Sequence, residues 1–193
     1  MKKIHLIIND KIWNSYKNYT SNNDLSNILT CLKSEYEVEL ICRKSSEKLI
    51  YPIKEKFKFC KIKEIKKNEI NIFMVSITPY NFLCLLRLML LGKKIKGFVY
   101  LRSDGFLEYK IKYGLIGYYF YYLMFYMVKK KLKLLSVSKK LTNVKVKSIL
   151  HPSEITKKWQ KTKELNKNFK TDFLYIGRFK KEKGSHFISE IFK

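Results

Sequence analysis

Apolar positions along this chain follow two alternating rhythms. The run KIHLII is compact and is closed at once by Asn9-Asp10, the pattern of a buried first strand. SNND then offers helix caps ahead of Leu25, Ile28, Leu29 and Leu32, spaced three and four apart on one helical face. YEVELIC follows with period two, setting Val38, Leu40 and Cys42 opposite Glu37, Glu39 and Ile41. Strand, amphipathic helix and strand in this order predict a βαβ unit.

The rhythm then repeats. INIFMVSI predicts a second buried strand, closed by Thr78-Pro79, and YNFLCLLRLMLLG a helix ending at Gly92. GFVYLR predicts a strand and SDGFLEY the loop after it, followed by an apolar helix over 111–128 and strands at LKLLSVS and VKVKSIL. Segment 54–67 alternates lysine with apolar residues and suits either a short strand or a helix. Buried strands alternating with helices predict a Rossmann-like α/β domain over 1–150, with a mostly parallel sheet flanked by helices. Ligands of such sheets bind beyond the carboxyl ends of the strands. Asn9-Asp10, Ser76 to Pro79 and Arg102 to Gly105 therefore share one rim. Residues 151–170 are polar and lysine-rich without an apolar period, and read as a linker.

YGLIGYYFYYLMFYMV, 113–128, is uncharged throughout and is bounded by Lys112 and by Lys129, Lys130 and Lys131. As a helix it is about 24 Å long, against a hydrocarbon core of roughly 30 Å. Three readings stay open: a helix apolar all round and buried in a domain, a transmembrane span, or an interfacial helix with rings at the headgroups and lysines on phosphates.

Composition changes this picture in one respect. A hydrophobic content of 46% suits a chain that buries a core, but 41 Lys+Arg against 16 Asp+Glu leave a net charge of +25. That charge favours phosphorylated ligands or anionic lipid. Equally, lysines scattered through a chain rich in Lys, Ile, Asn and Tyr produce it without a dedicated basic site. Nucleic acid is not expected as a partner, because the sequence shows no zinc spacing, no RNP-like aromatic signature and no clustered basic face. Cys31, Cys42, Cys60 and Cys84 show no C-x-x-C spacing and no accompanying His cluster. They read as reduced thiols of a cytoplasmic protein, with no metal and no cofactor expected. The apolar start, Ile4 to Ile8, is too short for an export signal.

The densest chemistry lies at 173–184, FLYIGRFKKEKG. An apolar strand runs into Gly177, where the backbone can approach a ligand closely. A helix start near Gly184-Ser185 then points free N–H groups at the same space. Arg178 adds a guanidinium fork and Lys183 a compact charge, a set suited to a diphosphate.

This stretch resembles the motif that opens the second domain of GT-B glycosyltransferases, above all glycosyltransferase family 4. KLLSVSKKL, GFVYLRSDGF and YEVELICRK resemble strands of that family's first domain. The resemblance implies an enzyme moving a sugar from a nucleotide-sugar to a glycan or lipid-linked acceptor, in cell-surface or lipid-linked glycan synthesis. Gly177, Arg178 and Lys183 would hold the donor diphosphate without a metal. Asn9, Asp10, Arg102 and Ser103 would form acceptor-side loops, and Asp104 would make a catalytic contact. The family's His-containing loop is replaced here by Arg102-Ser103-Asp104-Gly105, and its glycine pair after the first strand by NDKIWN. The resemblance places 171–193 as the first βα unit of a donor domain whose paired glutamates lie beyond residue 193, so that the chain reads as a fragment inactive by itself. It also implies a cytoplasmic protein, peripheral on the inner face of an anionic membrane. The competing reading is a non-catalytic, basic membrane-surface or interaction module on the same fold.

Overall fold

A computed structural model describes residues 2–149, apart from 16, 17, 22, 50, 54–56, 67, 139, 140 and 142–145. The expected linker and the segment 171–193 lie outside the described residues.

The protein is α/β, with a mostly parallel, Rossmann-like sheet. Its strands are β1 (Lys2–Ser15), β2 (Asn18–Ser21), β3 (Tyr36–Lys44), β4 (Tyr51–Pro52), β5 (Lys58–Phe59), β6 (Glu69–Val75), β7 (Lys94–Leu101), β8 (Lys133–Ser136) and β9 (Ser148–Ile149). Helix α1 (Asn23–Lys33) precedes β3, α2 (Pro79–Leu90) follows β6, and α3 (Gly105–Lys129) follows β7. The parallel strands run in the order β5-β3-β1-β6-β7-β8-β9. Chain order therefore reverses between β1 and β6, the switch point at which doubly wound sheets bind their ligands.

The two faces carry separate cores. Leu25 and Leu29 of α1 pack with Ile4, Leu6, Ile8, Val38 and Leu40 on one face. On the other, Leu85 and Leu88 of α2 and Tyr121, Met124, Phe125 and Val128 of α3 pack with Ile7, Ile72, Met74 and Val99. Adjacent residues of β1 and β6 thus point into different cores, which is why these strands read as continuous apolar runs. Thr78 caps α2 by accepting from the Asn81 N–H at 3.3 Å, with Pro79 in the first turn.

Three expectations need correction. Asn9-Asp10 does not end the first strand: β1 continues to Ser15 and turns into an antiparallel pair with β2, which pairs in turn with β4. The polar pair is absorbed by a shift of register against β3 between Ile7 and Lys11. Secondly, SDGFLEY is not a loop after β7, because helix begins at Gly105.

The third correction concerns the apolar helix. Gly114, at φ 65° and ψ −152°, breaks α3 into arms 105–113 and 115–129. The arms fold back on each other, with Phe106 and Tyr109 against Tyr121 at ring-centroid distances of 4.8 and 5.1 Å. Only one side of the second arm is buried, through Tyr121, Met124, Phe125 and Val128. The aromatic run thus forms the turn and second arm of a helical hairpin, with an outer face open to solvent. No helix among the described residues is long and apolar enough to cross a membrane.

Candidate functional site at the switch point

The rim beyond β1, β6 and β7 is built from short, rigid links. Ser76 follows β6 with φ 64°, a left-handed conformation that a serine adopts only when its surroundings enforce it. Two bonds fix that corner. The Ser76 N–H donates to the Tyr100 carbonyl at 2.8 Å. The fully buried Asn81 donates through Nδ2 to the carbonyls of Val75 at 2.7 Å and Ser76 at 2.9 Å. The turn is held from both the neighbouring strand and the following helix.

Arg102, the first residue past β7, reaches back over this corner. Its Nε donates to Ser76 Oγ at 3.3 Å, and its guanidinium stands 4.0 Å from Asp10 Oδ2. Asp10 Oδ2 and Asn9 Oδ1 are buried without a hydrogen-bond partner among the described residues. An acceptor withdrawn from water without a hydrogen bond is costly. Asp10 Oδ2, with the Arg102 charge 4.0 Å away but no hydrogen bond among the described residues, is therefore ready for a hydroxyl or amide donor at the switch point. Arg43 and Lys44 at the end of β3 and Lys11 on β1 are exposed nearby, because the register pairs Lys11 with Arg43. The rim thus joins a buried acceptor, Asp10 Oδ2, to a basic surround, a combination that fits a hydroxylated, phosphate-bearing molecule.

The sequence-predicted residues divide as follows. Asn9, Asp10 and Arg102 come together at the rim, although the first two belong to a strand rather than a loop. Ser103 is exposed beside them. Asp104 caps α3, its Oδ1 accepting from the Leu107 N–H at 3.1 Å, so one of its oxygens already has a structural task. Gly177, Arg178 and Lys183 lie outside the described residues.

A second polar group went unread in the sequence. On β1 and β3, Lys3 Nζ lies 2.6 Å from Glu39 Oε1 and His5 Nε2 lies 3.0 Å from Glu39 Oε2. His5 and Glu39 are buried neighbours in register. Burial pushes the His5 pKa down, against the pull of the Glu39 charge. Burial pushes the Glu39 carboxyl up, but the Lys3 hydrogen bond and the fields of His5 and Lys3 outweigh it and hold the pKa below the ordinary value. Cys60 adds a thiol, and donor atoms of His5, Glu39 and Cys60 fall within 4.8 Å of one another. A cation binding there would have to displace the Lys3 ammonium, which already supplies the positive charge. Burial, then the Glu39 charge, raises the Cys60 thiol to about 11; burial and Asp10 raise Cys42 to about 12. Neither is a nucleophile near neutrality.

Comparison of this chain with protein-family models, with curated proteins and with solved structures finds no match in any of the three.

Proposed function

We propose that this chain carries the acceptor-side domain of a glycosyltransferase that takes its sugar from a nucleotide-sugar. The observation that supports the reading most directly is Asp10 Oδ2 at the switch point, buried without a hydrogen bond among the described residues and 4.0 Å from Arg102, with the buried, unbonded Asn9 Oδ1 next to it in the chain. A sugar or polyol acceptor offers hydroxyl donors for those oxygens. Asp10 is the group we assign to the attacking hydroxyl, which it would orient and whose proton it would draw. Arg102 and the exposed Arg43 and Lys44 suit phosphate groups carried by either substrate. The resemblance of FLYIGRFKKEKG to a donor-diphosphate loop supplies the other half of the reading, with Arg178 and Lys183 neutralising the leaving nucleoside diphosphate.

The test is binding of nucleotide-sugars to the full chain, followed by ligand-observed NMR across uridine, guanosine and adenosine diphosphate sugars. One of these should bind, and Arg178→Ala should weaken it about 10- to 150-fold, the loss of a charge-assisted hydrogen bond. Asp10→Asn should leave donor binding intact and weaken binding of a sugar or polyol acceptor. A folded chain that binds no nucleotide-sugar would instead support a non-catalytic binding module on this fold.

A further inference from the structure

The α3 hairpin carries a surface that the rim chemistry does not use. Gly105 lies against Tyr121, so arm 105–113 and the start of the second arm project from the level of the rim. The tip, 110–116, is exposed throughout. It presents Ile111 at 56%, Tyr113 at 64%, Leu115 at 65% and Ile116 at 83% relative exposure. Along the second arm, Tyr119, Tyr122, Leu123 and Tyr126 continue the same outward side. Between Tyr113 and Val128 every residue is uncharged, so the solvent-facing surface of this arm holds no charge until Lys129. Single exposed leucines need no explanation, but a contiguous apolar face of this extent marks an interaction surface.

The charge around that face selects its occupant. Lys110 and Lys112 stand at the tip, and Lys129 and Lys130 close the other end, lying 5.2 and 4.2 Å from the Tyr126 ring centroid. A second copy of a chain with net charge +25 would bring these lysines against their equivalents. A bilayer containing anionic lipid offers acyl chains to the face and phosphates to its rim of lysines, with tyrosine hydroxyls at the boundary. The arms measure about 13 and 22 Å as helices, too short for the roughly 30 Å core, so the hairpin enters one leaflet only. We propose that the α3 hairpin is a monotopic membrane anchor, seating the Ile111, Leu115 and Ile116 side chains of its tip among the acyl chains of an anionic leaflet while Lys110 and Lys112 reach back to the phosphates. The proposal rests on the hairpin alone and is independent of sugar transfer.

Flotation of the full chain tests it, using vesicles of phosphatidylcholine alone and vesicles with phosphatidylglycerol added. Binding should require the anionic lipid and weaken with salt without vanishing, since the lysine contribution is screened and the apolar one is not. The double variant Leu115→Glu/Ile116→Glu, at exposed positions, should keep the wild-type circular dichroism and lose binding at least about tenfold. Ile116→Trp should fluoresce blue-shifted on vesicles and be quenched by brominated acyl chains. Four results would overturn the proposal: no binding to either vesicle, equal binding by the double variant, a dimer that the double variant dissociates, or an Ile116→Cys thiol shielded from maleimide in the lipid-free chain.

Discussion

Phe106 and Phe125 stand on the two arms of α3, nineteen residues apart in the chain, yet their ring centroids lie 5.1 Å apart. A straight helix would hold their backbones about 28 Å apart along its axis. The whole difference is made at Gly114. A Cβ built there meets no atom within 4 Å, so space is not what excludes a side chain. The backbone conformation is, because φ 65° with ψ −152° is open to glycine almost alone.

Gly114→Ala should therefore cost roughly 1–3 kcal/mol by urea unfolding, without any overpacking. Near-ultraviolet circular dichroism should change with it, since the Phe106, Tyr109 and Tyr121 rings meet only if the hairpin closes. A neutral substitution would mean that the arms do not depend on this turn.

Gly97 gives the opposite case. Its φ is 131°, and a Cβ would fall onto the Ile72 carbonyl oxygen of the neighbouring strand. Gly97→Ala should be among the severe point changes, roughly 3–5 kcal/mol, because both strain and a backbone clash oppose it. Thermal unfolding compared with Gly114→Ala would rank the two.

Asn81→Ala removes both bonds that tie the Val75 and Ser76 carbonyls to α2. Leaving these buried acceptors short of a partner should cost roughly 1–3 kcal/mol. Since Asn81 acts on the Ser76 corner and not on a ligand, any nucleotide-sugar affinity should fall much less than stability does. An equal fall in both would move Asn81 into the site.

Acid should weaken the fold in two stages. His5 has a depressed folded pKa, so the unfolded chain binds more protons below about 6.5 and stability falls as pH drops through that value. Glu39, also depressed, contributes stability that is complete above about 4.5 and is lost as pH falls towards its folded pKa. His5→Gln should abolish the first stage and leave the second, as read from denaturant midpoints between about pH 7 and pH 2. Loss of both stages would mean that the imidazole and carboxylate titrate as one unit.

Much of this architecture was legible because local signals agreed with one another. The INIFMVSI run, Thr78-Pro79 and the stop before Gly92 each mark one boundary of the β6–α2 unit, and β6 and α2 fall there. The rim was legible too, since strand ends in a parallel sheet must share a side. What failed has physical causes. Polar Asn9-Asp10 resembles a terminator, and only pairing with distant β2 and β3 shows that the strand continues. The break at Gly114 is hidden because apolar composition runs across it unchanged. His5 and Glu39 are in a lysine-rich context that reads as exposed; their burial depends on a cross-strand partner no local pattern reveals. Asp104 carried an expected contact and turned out to cap a helix, a task its Asp-Gly setting also permits.

The length and position of β1 carry a consequence for how the chain is made. Of the described strands this one is synthesised first, but its flanks are β3, ending at Lys44, and β6, ending at Val75. A nascent chain shorter than that holds Ile4, Leu6, Ile7 and Ile8 with at least one edge uncovered, an invitation to wrong pairing. The earlier-made β1 is thus enclosed only after both later flanks have been made. Translation past Val75, rather than emergence of β1 itself, sets the moment at which this sheet can close around its centre.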